Sequence, residues 1–369
     1  MPEIGSNILV RATNWLGDAV MSLPAIRALR EAFPAARLTV VARPWVADLY
    51  ARETAINRVI LYQPRNWRDR RAFAARLRSE RSGEENFDCA ILLQNAFEAA
   101  LIAWMARIPT RIGYRRDGRS CLLTIAIPVP DSGDIPRHER FYYLELLRRA
   151  KLISSEQYFR AGVAPIQLEG VGAAQASGAR QLAALGIGGD VIGISPGAAY
   201  GNAKRWLPER FAEAAVEICS RLAHLARRPA VLVFGSAAER PLSTQVAAGV
   251  ERAGIEVRNL AGQTSLREFI DLAAACRVFL TNDSGAMHVA SALGVPTAAV
   301  FGATDDTTTG PAGPFARVIR EHAPCSPCLL RECPIDHRCM TRVSAPTVAR
   351  AALELWEESA TRWTHEARS

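Results

Sequence analysis

Along the chain, short apolar runs rich in β-branched residues alternate with longer stretches whose apolar positions recur at helical spacing. In the first half this pattern predicts strands at 8–11, 38–42, 58–62, 90–93 and 111–113. Helices are predicted at 19–32, 68–81, 98–106 and 137–151. A stretch at 163–178, rich in Gly, Ala and Pro and with little periodicity, reads as a linker. The alternation then restarts, with strands at 191–195, 230–234, 257–260, 278–280 and 296–301. Helices at 208–225, 240–253, 265–275 and 286–293 fall between them, and 344–363 reads as a closing helix. Strand–helix alternation marks parallel βα units. Two successive runs predict an α/β protein of two doubly wound domains, 1–175 and 176–345, followed by a C-terminal segment 346–369. In such domains ligands bind at the carboxyl ends of the strands.

Composition narrows the class. With 49% hydrophobic and 22% charged residues in 369, the chain is ordinary globular material, which excludes disordered, collagen-like and coiled-coil classes. The charge is unevenly placed: residues 1–180 carry 26 basic and 18 acidic side chains, whereas 181–369 carry 19 of each. The whole net charge of +8 therefore sits in the first half, which suggests that this half faces a polyanion. The sequence shows no signal-peptide pattern and no apolar run of membrane-spanning length, so a cytoplasmic protein is expected. Its eight cysteines are then expected to be thiols or ligands. Cys89, Cys121, Cys219 and Cys276 lie in apolar contexts and read as core filler.

Three segments join a strand to a helix through residues that bear chemistry. In ILVRATNWLGDAVMSLPA, Asp18 is delivered to the mouth of the first domain, where a carboxylate serves either as a helix cap or as a base for an acceptor hydroxyl. A helix N-terminus also stabilises the carboxylate and weakens it as a base. In ISPGAAYGNAKRWLPERF, Gly197 and Gly201 permit close approach of backbone amides to a phosphate, and Lys204 stands next to them. Only Lys151 and Lys204 are lysines, against 43 arginines, so a compact point charge is specifically indicated at 204. The alternative there is a solvated Lys–Arg pair. In FLTNDSGAMHVASALGVPTAAVFGATDD, the amides of Ser284 and Gly285 open a helix toward an anion, Asp283 can accept sugar hydroxyls, and His288 lies one turn on. The alternative is a capped helix with His288 packed on the sheet.

Two further segments invite a second reading. Cys325, Cys328, Cys333 and Cys339, with His322 and His337 nearby, offer four thiols for a structural zinc or, less readily, an iron–sulfur cluster, or are free thiols closing a loop. The run 65–81 holds seven arginines with Phe73 and Leu77 on one helical face, which reads as a helix lying on anionic headgroups or as a solvated face.

As an ordered set, NWLGDAVMSLPA, SPGAAYGNAKRW and TNDSGAMHVASALGVPTAAVFGATDD resemble glycosyltransferase family 9, the bacterial ADP-heptose:lipopolysaccharide heptosyltransferases. The resemblance runs from about Ile8 to Val348 and implies a GT-B fold, two Rossmann-like domains with a C-terminal helix, here 346–369, returning toward the N-terminal one. It implies an inverting transfer that requires no metal, with Asp18 as general base. Lys204, Asp283, Ser284, Gly285 and His288 match the donor-binding positions, with Ser195, Gly197 and Thr304 matching less closely. Acceptor contacts are then expected at Asn14, Trp15 and Gly17. The implied partners are ADP-heptose, heptosylated Kdo-lipid A and the anionic inner face of the inner membrane, with the enzyme peripheral on it. The AKRW loop and the NDSG form favour the type that adds the second heptose, the neighbouring possibility being a family member with a different acceptor. The rival class is a non-catalytic nucleotide- or metal-binding module. Nucleic acid is disfavoured because the basic run lacks a recognised motif.

Overall fold

The structure, a computed structural model, describes residues 5–79, 86–223 and 229–366, with side chains described to Ser359. The predicted helix ends at 80–81 and 224–225, including Arg81, lie outside the described residues. The chain divides into two units, Met1–Ala164 and Pro165–Ser369.

The first unit runs β1 (Asn7–Arg11), α1 (Leu16–Ala32), β2 (Arg37–Ala42), α2 (Pro44–Tyr50), β3 (Arg58–Leu61), α3 (Trp67–Ser79), β4 (Cys89–Leu92), α4 (Phe97–Met105), β5 (Thr110–Tyr114), β6 (Ile125–Ile127), α5 (Arg140–Arg149) and α6 (Ser155–Val163). Its six strands are ordered β3-β2-β1-β4-β5-β6, with parallel pairing throughout. Leu9, at the centre of the sheet, is in register with Thr39 on one side and Ala90 on the other. β1 and β4 are buried along their whole length, as expected of strands covered by helices on both faces.

The second unit runs α7 (Val171–Ala184), β7 (Val191–Ser195), α8 (Pro208–Ala223), β8 (Ala230–Val233), α9 (Arg240–Arg252), β9 (Glu256–Asn259), α10 (Leu266–Ala274), β10 (Val278–Asn282), α11 (Gly285–Ala292), β11 (Thr297–Val300), α12 (Asp306–Thr309), β12 (Ala316–Ile319), α13 (Arg338–Thr341) and α14 (Ala345–Glu366). Its sheet, β9-β8-β7-β10-β11-β12, repeats the topology of the first. The described part of α14 packs on α8 and on β10, β11 and β12, where Val348, Ala349 and Ala352 are buried in the core. In both sheets the strand order reverses beside the first strand, between β1 and β4 and between β7 and β10. These switch points are where open α/β sheets leave a crevice for ligands. No helix among the described residues is long and apolar enough to cross a membrane.

Two readings of the sequence need correction. The stretch 163–178 is not a linker throughout, because from Val171 it is α7, and the expected boundary at 175 falls inside that helix. Ala174, Gly178 and Leu182 form its buried stripe, and a Cβ on Gly178 would lie 2.0 Å from the Asp271 carbonyl oxygen on α10. Such a contact depends on small residues, which leave little apolar periodicity to read. Cys121, expected in the core, is exposed in a short 3-10 turn, Ser120–Leu122, whereas Cys89, Cys219 and Cys276 are buried.

Candidate active site

In the first unit the end of β1 is braced from beneath. Arg11, only 4% exposed, donates from Nη1 to the Ala12 carbonyl at 2.8 Å and the Val41 carbonyl at 3.2 Å, and from Nη2 to Asn14 Oδ1 at 3.2 Å. Burial lowers its guanidinium to about 10. Trp45 Nε1 donates to the Asn14 carbonyl at 2.8 Å, so the loop leaving β1 is held from two sides. Helix α1 then starts at Leu16, with Trp15 in an extended conformation as its N-cap. Asp18 is therefore not the cap but lies inside the first turn, half-buried.

What surrounds Asp18 was not visible in the sequence. Buried Tyr50 and Tyr143 both sense its charge. Glu139, at the start of α5, is pushed up to about 7, first by burial and then by the negative charge of Asp18, with Arg116 opposing. α1 and α5 pack against each other, which brings the two carboxylates into one electrostatic neighbourhood. Carboxyls shifted in this way by burial and a neighbouring charge cluster at functional sites.

In the second unit three loops converge at the carboxyl ends of β7, β10 and β11. Lys204 Nζ donates to Asp283 Oδ2 at 2.5 Å, and Thr304 Oγ1 donates to the same oxygen at 2.5 Å. The Lys204 side chain is 12% exposed and that of Asp283 5%. Tyr200 lies against the ammonium, its ring centroid 4.8 Å from Nζ. Asn282 ties the loops together, accepting from the Trp206 amide at 2.9 Å and donating from Nδ2 to the Pro196 carbonyl at 2.7 Å. Fully buried Trp206 anchors its loop further through Nε1 to the Val343 carbonyl at 3.1 Å. Ser284 is the extended N-cap of α11 and makes no side-chain cap bond, its Oγ lying instead 3.2 Å from Thr281 Oγ1. His288 is buried one turn into that helix. Ser195 and Gly197 are buried at the end of β7, Ser195 in register with Thr281. A Cβ on Gly197 would lie 2.0 Å from Glu239 Oε1, so the glycine admits a carboxylate from the loop after β8.

The residues named from sequence thus gather into two groups. Asn14, Trp15, Gly17 and Asp18 stand at the switch point of the first sheet. Ser195, Gly197, Lys204, Asp283, Ser284, Gly285, His288 and Thr304 stand at that of the second. Sequence reasoning missed Glu139, Glu239 and the joining role of Asn282. Of these only Asn282 carried a local signal, its place beside Asp283.

The zinc reading of Cys325, Cys328, Cys333 and Cys339 finds no support. Among the described residues no group of three or more His, Cys, Asp or Glu is placed to hold a metal ion. Cys325 is exposed while Cys339 is buried against Gly302.

Comparison with known proteins agrees with this geometry. Residues 71–338 match the family model described as glycosyltransferase family 9 (heptosyltransferase). The chain belongs to that family and is a glycosyltransferase. It is 33% identical over 319 residues to lipopolysaccharide heptosyltransferase 2 of Escherichia coli strain K12, covering 85% of this chain and 87% of that protein. It is 31% identical over 324 residues to the Salmonella typhimurium protein of the same name, covering 85% and 87%. Among solved structures, the E. coli ADP-heptose LPS heptosyltransferase II superposes with a TM-score of 0.77 at 29% identity, covering 96% of this chain and 99% of that one.

Proposed function

We propose that the protein transfers heptose, with inversion, from ADP-heptose to the first heptose of a Kdo-lipid A inner core, working as a peripheral protein at the cytoplasmic face of the inner membrane. The observation that carries the donor side of this reading is the convergence of Lys204 and Thr304 on Asp283 beside the open N-terminus of α11. An ammonium has three protons. One is held by Asp283, which fixes the side chain and leaves two for a diphosphate whose remaining oxygens meet the amides at Ser284 and Gly285. The half-buried Glu239 carboxylate beside Gly197 is suited to accept hydroxyls of the nucleotide ribose.

The acceptor hydroxyl gives its proton to Asp18 as its oxygen bonds to the anomeric carbon. The bond from that carbon to the diphosphate breaks on the opposite face, and ADP leaves with the electron pair. Lys204 and the loop amides meet the charge growing on the leaving group. An Asp in a helix first turn is a weak base. Glu139, raised to about 7 by burial and by the charge of Asp18, gives this neighbourhood a second carboxyl that titrates near neutrality.

A panel of nucleotide sugars tests the donor assignment. ADP release from ADP-heptose should depend on added acceptor, with GDP- and UDP-sugars inactive. Equal turnover of a UDP-sugar would overturn it.

A further inference from the structure

The paired helices α3 and α4 carry features that catalysis does not use. On α3, Ala74 and Leu77 enter the core together with Ala100, Ile102 and Ala103 of α4. The outward face is of another kind. Trp67, Arg71 and Arg78 recur at a spacing that places them on one side of α3, and Phe97 and Trp104, seven residues apart, do the same on α4. Trp67, Phe97 and Trp104 are 49%, 45% and 53% exposed. Between and below the helices lies an open groove of about 880 Å³, lined by Arg71, Ala75, Arg78, Trp104, Met105 and Arg107.

Among the described residues, the charges of α3 are only partly spent. On the same helix Arg70 is tied to Glu98 at 2.5 Å, but Arg71, Arg78 and Arg107 have no ion-pair partner among the described residues. Arg107 also holds a left-handed backbone, φ 59°, at the position after α4 where glycine is the favoured residue. Unpaired guanidiniums match phosphate geometry. Exposed tryptophans at both ends of a strip, over an Ala and Met floor, suit the boundary between headgroups and acyl chains.

We infer that the α3–α4 face seats the first unit on an anionic bilayer, with lipid phosphates in the groove between Arg71, Arg78 and Arg107 and the rings of Trp67, Phe97 and Trp104 at headgroup level. The inference rests on the proposed membrane-borne acceptor and names the surface that meets it. Trp67 and Phe97 open α3 and α4, which follow β3 and β4, so this face rises to the rim of the first-unit crevice that also holds Asp18.

The test is sedimentation of the full-length protein with phosphatidylcholine vesicles, with and without phosphatidylglycerol, beside transfer assays on acceptor dispersed in detergent. Each arginine near an anionic surface contributes about fivefold to partitioning, so R71A/R78A should bind phosphatidylglycerol vesicles about 30-fold more weakly. Both substitutions keep good helix formers on an exposed face, and an unchanged thermal midpoint confirms folding. Transfer to detergent-dispersed acceptor should be unaltered. Trp104→Ala should weaken the part of binding that survives high salt. If R71A/R78A sediments like the wild type, the surface is wrong even though transfer to detergent-dispersed acceptor continues. If the wild type ignores phosphatidylglycerol, or inorganic phosphate at matched concentration displaces it from vesicles, the bilayer assignment is overturned. Loss of transfer in the wild type would instead strike the proposed function.

Discussion

The ion pair of Lys204 and Asp283 gives the sharpest prediction, because it joins stability to donor binding in a way that two substitutions separate. Lys204→Ala leaves Asp283 almost fully buried, with only the Thr304 hydroxyl on an oxygen that had accepted two hydrogen bonds. Breaking a dry buried pair costs about 3–5 kcal/mol. The Lys204 side chain keeps 12% exposure, so water softens the loss and about 2–3 kcal/mol is expected. In a unit of roughly 200 residues, with about 2–4 °C per kcal/mol, the thermal midpoint of the second unit should fall by about 4–12 °C. Loss of one charged donor to the diphosphate should weaken ADP-heptose binding by about 10- to 150-fold, from about 1.5–3 kcal/mol per charge-assisted hydrogen bond. Adding Asp283→Asn to this variant removes the stranded charge. The double variant should regain most of the stability and none of the affinity. Thermal unfolding by circular dichroism and titration calorimetry with ADP-heptose read the two effects independently. A double variant as unstable as Lys204→Ala would refute the stranded-charge reasoning, and a Lys204→Ala protein that binds donor normally would refute the phosphate role.

The remaining predictions concern the first unit, one helix contact and metal removal. Asp18→Asn should lower kcat by about 10²- to 10⁴-fold while ADP-heptose binding stays within about twofold, so normal turnover in this variant would exclude Asp18 as base. Glu139 is held at about 7 in the fold against an ordinary value of about 4.3. Its raised value contributes stability that is complete below about pH 4.3 and is lost as pH rises through about 7. Denaturation measured from pH 4.5 to 8 should therefore show the wild type losing stability relative to Glu139→Gln, and parallel curves would contradict the raised value of Glu139. Gly178→Ala should destabilise by about 1–3 kcal/mol, because its Cβ would be forced against the Asp271 carbonyl oxygen 2.0 Å away; unchanged denaturant midpoints would show that α7 and α10 can separate freely. Asp283 Oδ2 is committed to Lys204 and Thr304, so transfer should persist in EDTA, and activity restored only by added divalent cation would count against the assignment of the leaving charge to Lys204.

The alternation of short buried strands and amphipathic helices made both Rossmann-like units legible, because strands such as β1, β4 and β10 are buried along their whole length and are built on short apolar runs. Of the edge strands, β3 and β9 were legible but β6 and β12 were not. β12 is mostly half-buried, β6 has only three residues, and neither carries enough apolar pattern to stand out. α7 escaped because its buried stripe is Ala, Gly and Leu rather than large apolar residues. In the site, residues close to a strand-to-helix turn could be named from local order alone. The pairing of Lys204 with Asp283 joins positions 79 apart, and the influence of Asp18 on Glu139 depends on the packing of α1 against α5, so neither is written in local pattern. The charge excess of the first half remains a compositional observation until a surface is assigned to it. Arg71, Arg78 and Arg107 of the α3–α4 groove, without an ion-pair partner among the described residues, give part of it a location.

The central claim is tested most directly by incubating the protein with ADP-heptose and Kdo-lipid A carrying either no heptose or one, then reading the products by mass spectrometry. The account predicts a gain of one heptose on the mono-heptosylated acceptor and none on the unsubstituted one. A gain only on the unsubstituted acceptor, or on neither, would contradict it.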